Sequence, residues 1–172
     1  MFRDAGGTVT AVAGSDASAV IDTGYGPRVD EITSGINRVL SETPDLLVNT
    51  HWHFDHTDGN QAFVEDRATI VAHTNCRVRL SHDQYVASLE WGVKASPRIA
   101  WPKITIDGAS AIDVGLETLQ LLPQSAAHTD GDVAVFLSSS NVLIMGDLFT
   151  NGSYPVIDES SGGNLAGNDR RP

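Results

Sequence analysis

The chain is short of cysteine, of positive charge and of aromatic side chains, and it has no long apolar run. Cys76 is its one cysteine, so no intrachain disulfide can staple the fold. A lone thiol fits a reducing compartment. Lys and Arg number 11 against 22 Asp and Glu, a net charge of -11, and no basic run exceeds Arg170-Arg171. Phosphate backbones are held by clustered cations, so nucleic acid is not an expected partner. No stretch approaches the roughly 20 apolar residues of a membrane-spanning helix. The opening Met-Phe-Arg-Asp-Ala-Gly-Gly holds no apolar segment of signal-peptide length. A membrane partner is therefore not expected either, and the cytoplasm is the expected location if Met1 is the natural start.

What is present suffices for one folded domain. The chain has 172 residues, 41% of them hydrophobic, and that length buries a core without covalent cross-links. Thr8–Ala13 and Ala17–Asp22 read as strands joined by a Gly14-Ser15-Asp16 turn. Val29, Ile32, Ile36, Val39 and Leu40 recur at helical spacing after Pro27. Asp45–Asn49 reads as a buried strand, a short helix is expected from Asp58, and Ala68–Ala72 as a further strand. The stripe Val78, Tyr85, Val86, Leu89 predicts a helix from Asn75 to about Leu89. Trp91–Pro102 reads as an irregular loop. Strands are expected around Lys103–Ile106, Glu117–Leu122, Asp132–Leu137 and Val142–Met145. The tail, about 151–172, is rich in Gly, Ser, Asn and Asp and reads as loop or disorder. Helices and strands alternate first and strands dominate later, an α/β layout with mixed pairing.

The densest chemical signal is His51-Trp52-His53-Phe54-Asp55-His56. Side chains along extended chain repeat every two residues, so His51 and His53 at the end of a strand can face one ion. Asp55 continues that direction, and His56 follows as the chain turns. Imidazoles with a carboxylate suit Zn²⁺, and less selectively Fe, Mn or Co. His128 and Asp147 each follow an apolar strand, in His128-Thr129-Asp130-Gly131-Asp132 and Gly146-Asp147. Asp22 reads equally well as a partner that orients a ligand or as a strand-end turn. His73 reads as structural, His82 as solvated, and Asp58, Asp130 and Asp132 as turn or cap residues.

Taken together and in order, these motifs, with Ile21-Asp22-Thr23-Gly24 before them, resemble the metallo-β-lactamase superfamily. The resemblance runs from about Thr8 to Gly163. It implies a four-layer αβ/βα sandwich with metals at one edge of two facing sheets. It implies that His51, His53 and His128 bind a first metal, that Asp55 and His56 bind a second, and that Asp147 bridges both. This is the pattern of the glyoxalase II-like and lactonase-like branch. The flavin-linked diiron branch has Glu where this chain has His53.

One departure stands out. The family pattern supplies a further His to the second metal after the bridging Asp, and no His follows His128 here. The second half of the sandwich is accordingly expected to be incomplete, the chain being a shortened hydrolase or one completed by a second copy or a partner chain. The expected activity is hydrolysis of an ester, thioester, lactone or amide, β-lactams included. Its substrate is a small molecule, one or two Zn²⁺ ions supply hydroxide, and Asp55 handles the proton. A mono-iron persulfide dioxygenase and a non-catalytic remnant are the alternatives.

Overall fold

A computed structural model describes residues 6–40, 42–65 and 67–168. Its first sheet begins with a hairpin, β1 (Thr10–Ala13) against β2 (Ser18–Ile21). It continues in parallel through β3 (Leu46–Val48), β4 (Thr69–His73) and β7 (Ile104–Ile106), in the order β1-β2-β3-β4-β7. A second, antiparallel sheet is ordered β11-β10-β9-β8, from β8 (Ser110–Asp113), β9 (Thr118–Pro123), β10 (Val133–Leu137) and β11 (Val142–Ile144).

The central strands of the first sheet are apolar on both faces because both faces are covered. One face packs on the second sheet: Val12, Ile21, Val48 and Val71 meet Leu119, Leu121, Val133, Val135 and Ile144. The other face, with Val20, Leu47 and Ile70, packs on two helices, α1 (Val29–Leu40) and α3 (Asn60–Glu65), through Ile32, Ile36, Phe63 and Val64. Helix α1 opens with Asp30 and Glu31, where carboxylates favour the positive end of the helix dipole. The outer face of the second sheet carries a smaller cluster of Ala127, Ala134 and Leu148. Among the described residues no long helix covers it, and Val142 and Leu143 stand exposed. This is the α/β sandwich anticipated, with its outer helical layer incomplete. No helix among the described residues is long and apolar enough to cross a membrane.

Several expectations are corrected. The helix anticipated from Asn75 to Leu89 is only α4 (Thr74–Leu80). Its supposed apolar stripe fails because Val78, Tyr85 and Leu89 face solvent. The chain instead turns into a second hairpin, β5 (Gln84–Val86) and β6 (Trp91–Val93), so part of the segment read as irregular is strand. Strand β8 was not anticipated. The short helix expected from Asp58 begins earlier, as α2 (Phe54–Thr57), and resumes as α3 after Asp58-Gly59. The segment from Asn151, expected to be loop or disorder, is largely irregular but includes a 3₁₀ turn at Glu159–Ser161 and α5 (Leu165–Asn168). Backbone bonds from Asp158 to His128 (2.9 Å) and from Asn164 to Ala127 (2.7 Å) fasten it. Residues 169–172 lie outside the described residues.

Candidate metal centre

The fold gathers the chemistry at one edge. Strands β2 and β3 run parallel, so Asp22 and His51 leave the first sheet at the same end. Strands β9 and β11 both oppose β10, so His128 and Asp147, which follow them, leave the second sheet together. A bond from Val133 N to Thr50 O (2.7 Å) ties the two edges. Gly146, at φ +51, makes the turn that presents Asp147. A Cβ there would lie 2.6 Å from Thr50 Oγ1, so a side chain would meet both strain and a clash.

All six anticipated ligands converge, as two groups that share one residue. Ligand atoms of His51, His53, His128 and Asp147 lie within 4.8 Å of one another, as do those of Asp55, His56 and Asp147. Asp147 faces both groups: Oδ1 is 3.2 Å from His56 Nε2 and Oδ2 is 3.8 Å from His128 Nε2. The route differs in detail from the one expected. Strand β3 ends at Val48 rather than Thr50, and Asp55, expected to continue the extended chain, comes with His56 from helix α2.

The outer nitrogen of each of the four clustered imidazoles is hydrogen-bonded. His128 Nδ1 is 2.6 Å from the Val156 carbonyl, which can only accept, so that nitrogen carries the proton. His53 Nε2 donates to the Asp158 carboxylate at 2.9 Å. Thr50 Oγ1 gives its hydrogen to Asp22 at 2.7 Å, so it accepts from His51 Nδ1 at 3.1 Å. His56 Nδ1 donates to Asp22 Oδ2 at 2.7 Å. Burial lowers the pKa of His53 in spite of Asp158, and burial with the neighbouring imidazoles lowers that of His51 much further. Both rings are therefore neutral near pH 7, with one proton each, on the outer nitrogen.

The inner nitrogens converge: His53 Nδ1 lies 3.1 Å from His51 Nε2 and 2.9 Å from His128 Nε2, and in the neutral His51 and His53 both inner nitrogens are bare acceptors. Bare acceptors at that separation repel, and a cation between them removes the repulsion. In the second group the balance runs the other way. His56 Nε2 is buried and lacks a hydrogen-bond partner of proper geometry, although Asp147 is near. Burial lowers the pKa of His56, but Asp22 and Asp147 outweigh it and hold the ring well above its ordinary value. The donor set thus fits a pair of divalent ions on chemical grounds, nitrogen-rich on one side and carboxylate-rich on the other.

Two residues gain roles here. Asp22, open between two readings in the sequence, is an orienting residue. Its carboxylate is buried, sits on a left-handed backbone at φ +58, and binds Thr50 N, Thr50 Oγ1 and His56. Short polar residues tolerate that conformation, and strain of this kind gathers at functional sites. Asp158 was missed. It lies in a segment without periodicity, where the available signal was an Asp followed by Ser160-Ser161-Gly162, a cap pattern. Its carboxylate accepts from Ser160 and Ser161 as well as from His53. Ser161 in turn accepts from Trp52 Nε1 at 3.0 Å, so the tryptophan between the first two histidines is locked too. The remaining candidates stay outside. His73 caps α4 by accepting from Asn75 N, His82 is exposed on the surface, Asp130 pairs with Arg79, and Asp132 binds Thr129 N. Cys76 is buried beside Trp52 and Leu80, and burial with nearby Asp22 raises its thiol pKa well above the ordinary value.

Comparison with known proteins agrees with this geometry. The family model of the metallo-β-lactamase superfamily matches residues 3–170. A probable metallo-hydrolase of Methanocaldococcus jannaschii is 30% identical over 130 residues, which is 69% of this chain and 60% of that protein. Among solved structures, the B3 metallo-β-lactamase BLEG-1 superposes with a TM-score of 0.76 at 17% identity, over 94% of this chain and 76% of that one. MEM-A1, a subclass B3 enzyme from a soil metagenome library, superposes with a TM-score of 0.65 at 21% identity, over 77% and 52%. The two structures speak to the fold, and the chain spans less than two thirds of both the archaeal relative and MEM-A1. With the family model running almost end to end, and the histidine and aspartate cluster at the expected edge, this chain belongs to the metallo-β-lactamase superfamily.

Proposed function

We propose that the chain is a dinuclear metallo-hydrolase centre acting on an ester, thioester, lactone or amide. The carrying observation is the convergence of the inner ring nitrogens of His51, His53 and His128 on one point with Asp147, each outer nitrogen being already hydrogen-bonded. These three would hold one ion, Asp55 and His56 the other, and Asp147 both. Zn²⁺ suits the nitrogen-rich set. Such an ion lowers the pKa of water to about 7 and polarises a carbonyl oxygen.

The protein's own groups do the rest. A cleft of about 180 Å³ opens beside the cluster, lined in part by His53, Asp55, His128 and Asp147. It gives room for a carbonyl group and a water. Asp55, a third exposed along its side chain, can accept a proton from the attacking water. It then returns that proton to the departing alkoxide, thiolate or amine. No serine or cysteine nucleophile is needed. The carboxylate-rich second group supports a dinuclear centre over a mono-iron dioxygenase.

The test is metal analysis with turnover. Purified protein should hold zinc and cleave chromogenic esters or lactones, and His53→Ala should lose the first ion and all turnover. Iron content with oxygen consumption, or full metal-dependent turnover in His53→Ala, overturns the reading.

A further inference from the structure

The metal cleft does not end at its own walls. It shares Phe54 and Leu89 with a larger groove of about 680 Å³, lined also by Tyr25, Pro27, Trp91 and Val93. That volume is in the range of sites for drug-sized ligands, roughly 300–1,000 Å³. The β5–β6 hairpin builds one wall. Its Val86 turns inward onto Trp52, Ala72, Cys76 and Leu80. Glu90, in the left-handed region at φ +50, makes the turn between Leu89 and Trp91. Those two side chains are 58% and 60% exposed. Tyr25 and Phe54 form the other wall, edge to face with centroids 5.9 Å apart.

So much open apolar surface, rimmed by polar residues and continuous with a catalytic cleft, marks a binding site. Its charge narrows the occupant. Among the described residues lining the groove, the basic one is Lys94, and its ammonium already pairs with Asp83 at 2.6 Å. Asp58 adds a carboxylate to the groove lining, and the chain carries a net charge of -11. An anionic tail would find no free cation there.

We infer that this groove holds the arm of the substrate beyond its scissile carbonyl, and that the arm is an uncharged acyl chain or aryl group. The inference rests on the hydrolytic reading above and names the substrate class for it: apolar-armed esters, thioesters, lactones or amides.

Two measurements separate this inference from the reading beneath it. The first needs no turnover. N-phenyl-1-naphthylamine, a neutral fluorescent probe, is titrated into chelator-treated protein. Wild-type protein should bind it, and Trp91→Ala and Leu89→Ala should each weaken binding by about tenfold, a usual loss for an anchoring side chain. Leu116→Ala, equally solvent-facing but before β9 at the far end of the strands, should bind as wild type does. Both groove positions are surface-exposed, so the variants are expected to fold, and circular dichroism checks this. Unchanged probe binding in both groove variants overturns the inference.

The second measurement uses zinc-loaded protein and p-nitrophenyl acetate, butyrate and octanoate. Here kcat/KM should climb with acyl length, by up to roughly fourfold per methylene, and Trp91→Ala should flatten the climb. Cleavage without length dependence overturns the groove assignment and leaves the hydrolase standing. Inert esters with probe binding lost in both variants overturn the hydrolase reading and keep the groove as a site for an apolar group.

Discussion

Asp158 Oδ2 lies 2.9 Å from His53 Nε2, across 105 residues of chain. The contact fixes which nitrogen of His53 faces the cluster, the role that partners behind metal-bound histidines commonly play. Asp158→Ala should therefore weaken the first ion by about 10- to 100-fold, the usual effect of removing such a partner. Asp158→Asn keeps an acceptor and should lose less. Competition against a chromogenic chelator measures both, and equal affinity in all three proteins would show that His53 is held by something else.

Asp147 divides its two oxygens between the groups, one toward His56 and one toward His128. The second group has two other members, Asp55 and His56, whereas the first retains three imidazoles without it. Asp147→Ala should therefore drop metal content from two ions to one per chain, measured by plasma emission after dialysis. Retention of both ions would remove Asp147 from the bridging role.

Metal removal should cost stability as well as activity, because the converging nitrogens lose the cation that reconciles them. An ion present at a thousand times its Kd stabilises by about 4 kcal/mol. For a chain of this size that corresponds to a Tm shift on the order of 10 °C. Thermal melts with and without chelator should show a drop of this order, restored by zinc. Coincident melts would mean that the cluster tolerates being empty.

Glu117 supplies a pH dependence remote from the site. Burial raises its pKa, but the N–H groups of Ser139, Ser140 and Thr118 outweigh that and hold it at about 2, against an ordinary 4.5. The folded pKa is depressed, so the contribution is fully present above pH 4.5 and is lost as pH falls toward 2. Glu117→Gln should melt below wild type at pH 7, and the gap should close as pH drops through that window. A gap independent of pH would assign the effect to packing instead.

The sequence showed the ligands far better than it showed what holds them. His51, His53, Asp55 and His56 sit within six residues, and dense spacing of that kind is legible without coordinates. His128 and Asp147 carried weight once a family pattern ordered them. Asp158 offered only a cap pattern, because its role depends on a loop folding back over His128, and loops carry no period. The same limit explains the misread hairpin. Val78, Tyr85, Val86 and Leu89 offer a helical interval, yet only Val86 is buried, and three-residue strands are too short to display alternation. Where the apolar pattern was long, as along one face of α1 and through β10, the reading matched; even there Val39, expected on the inner face of α1, faces outward.

Ser160 is held from both directions: its Oγ accepts from Ala87 N in the hairpin at 3.1 Å and donates to Asp158. One hydroxyl thus couples the wall that contacts Leu89 and Trp91 to the carboxylate behind His53. Linkage makes such coupling reciprocal. If the tether transmits, zinc should sharpen uptake of the neutral probe by the same factor by which the probe sharpens uptake of zinc, and Ser160→Ala should return both factors to one.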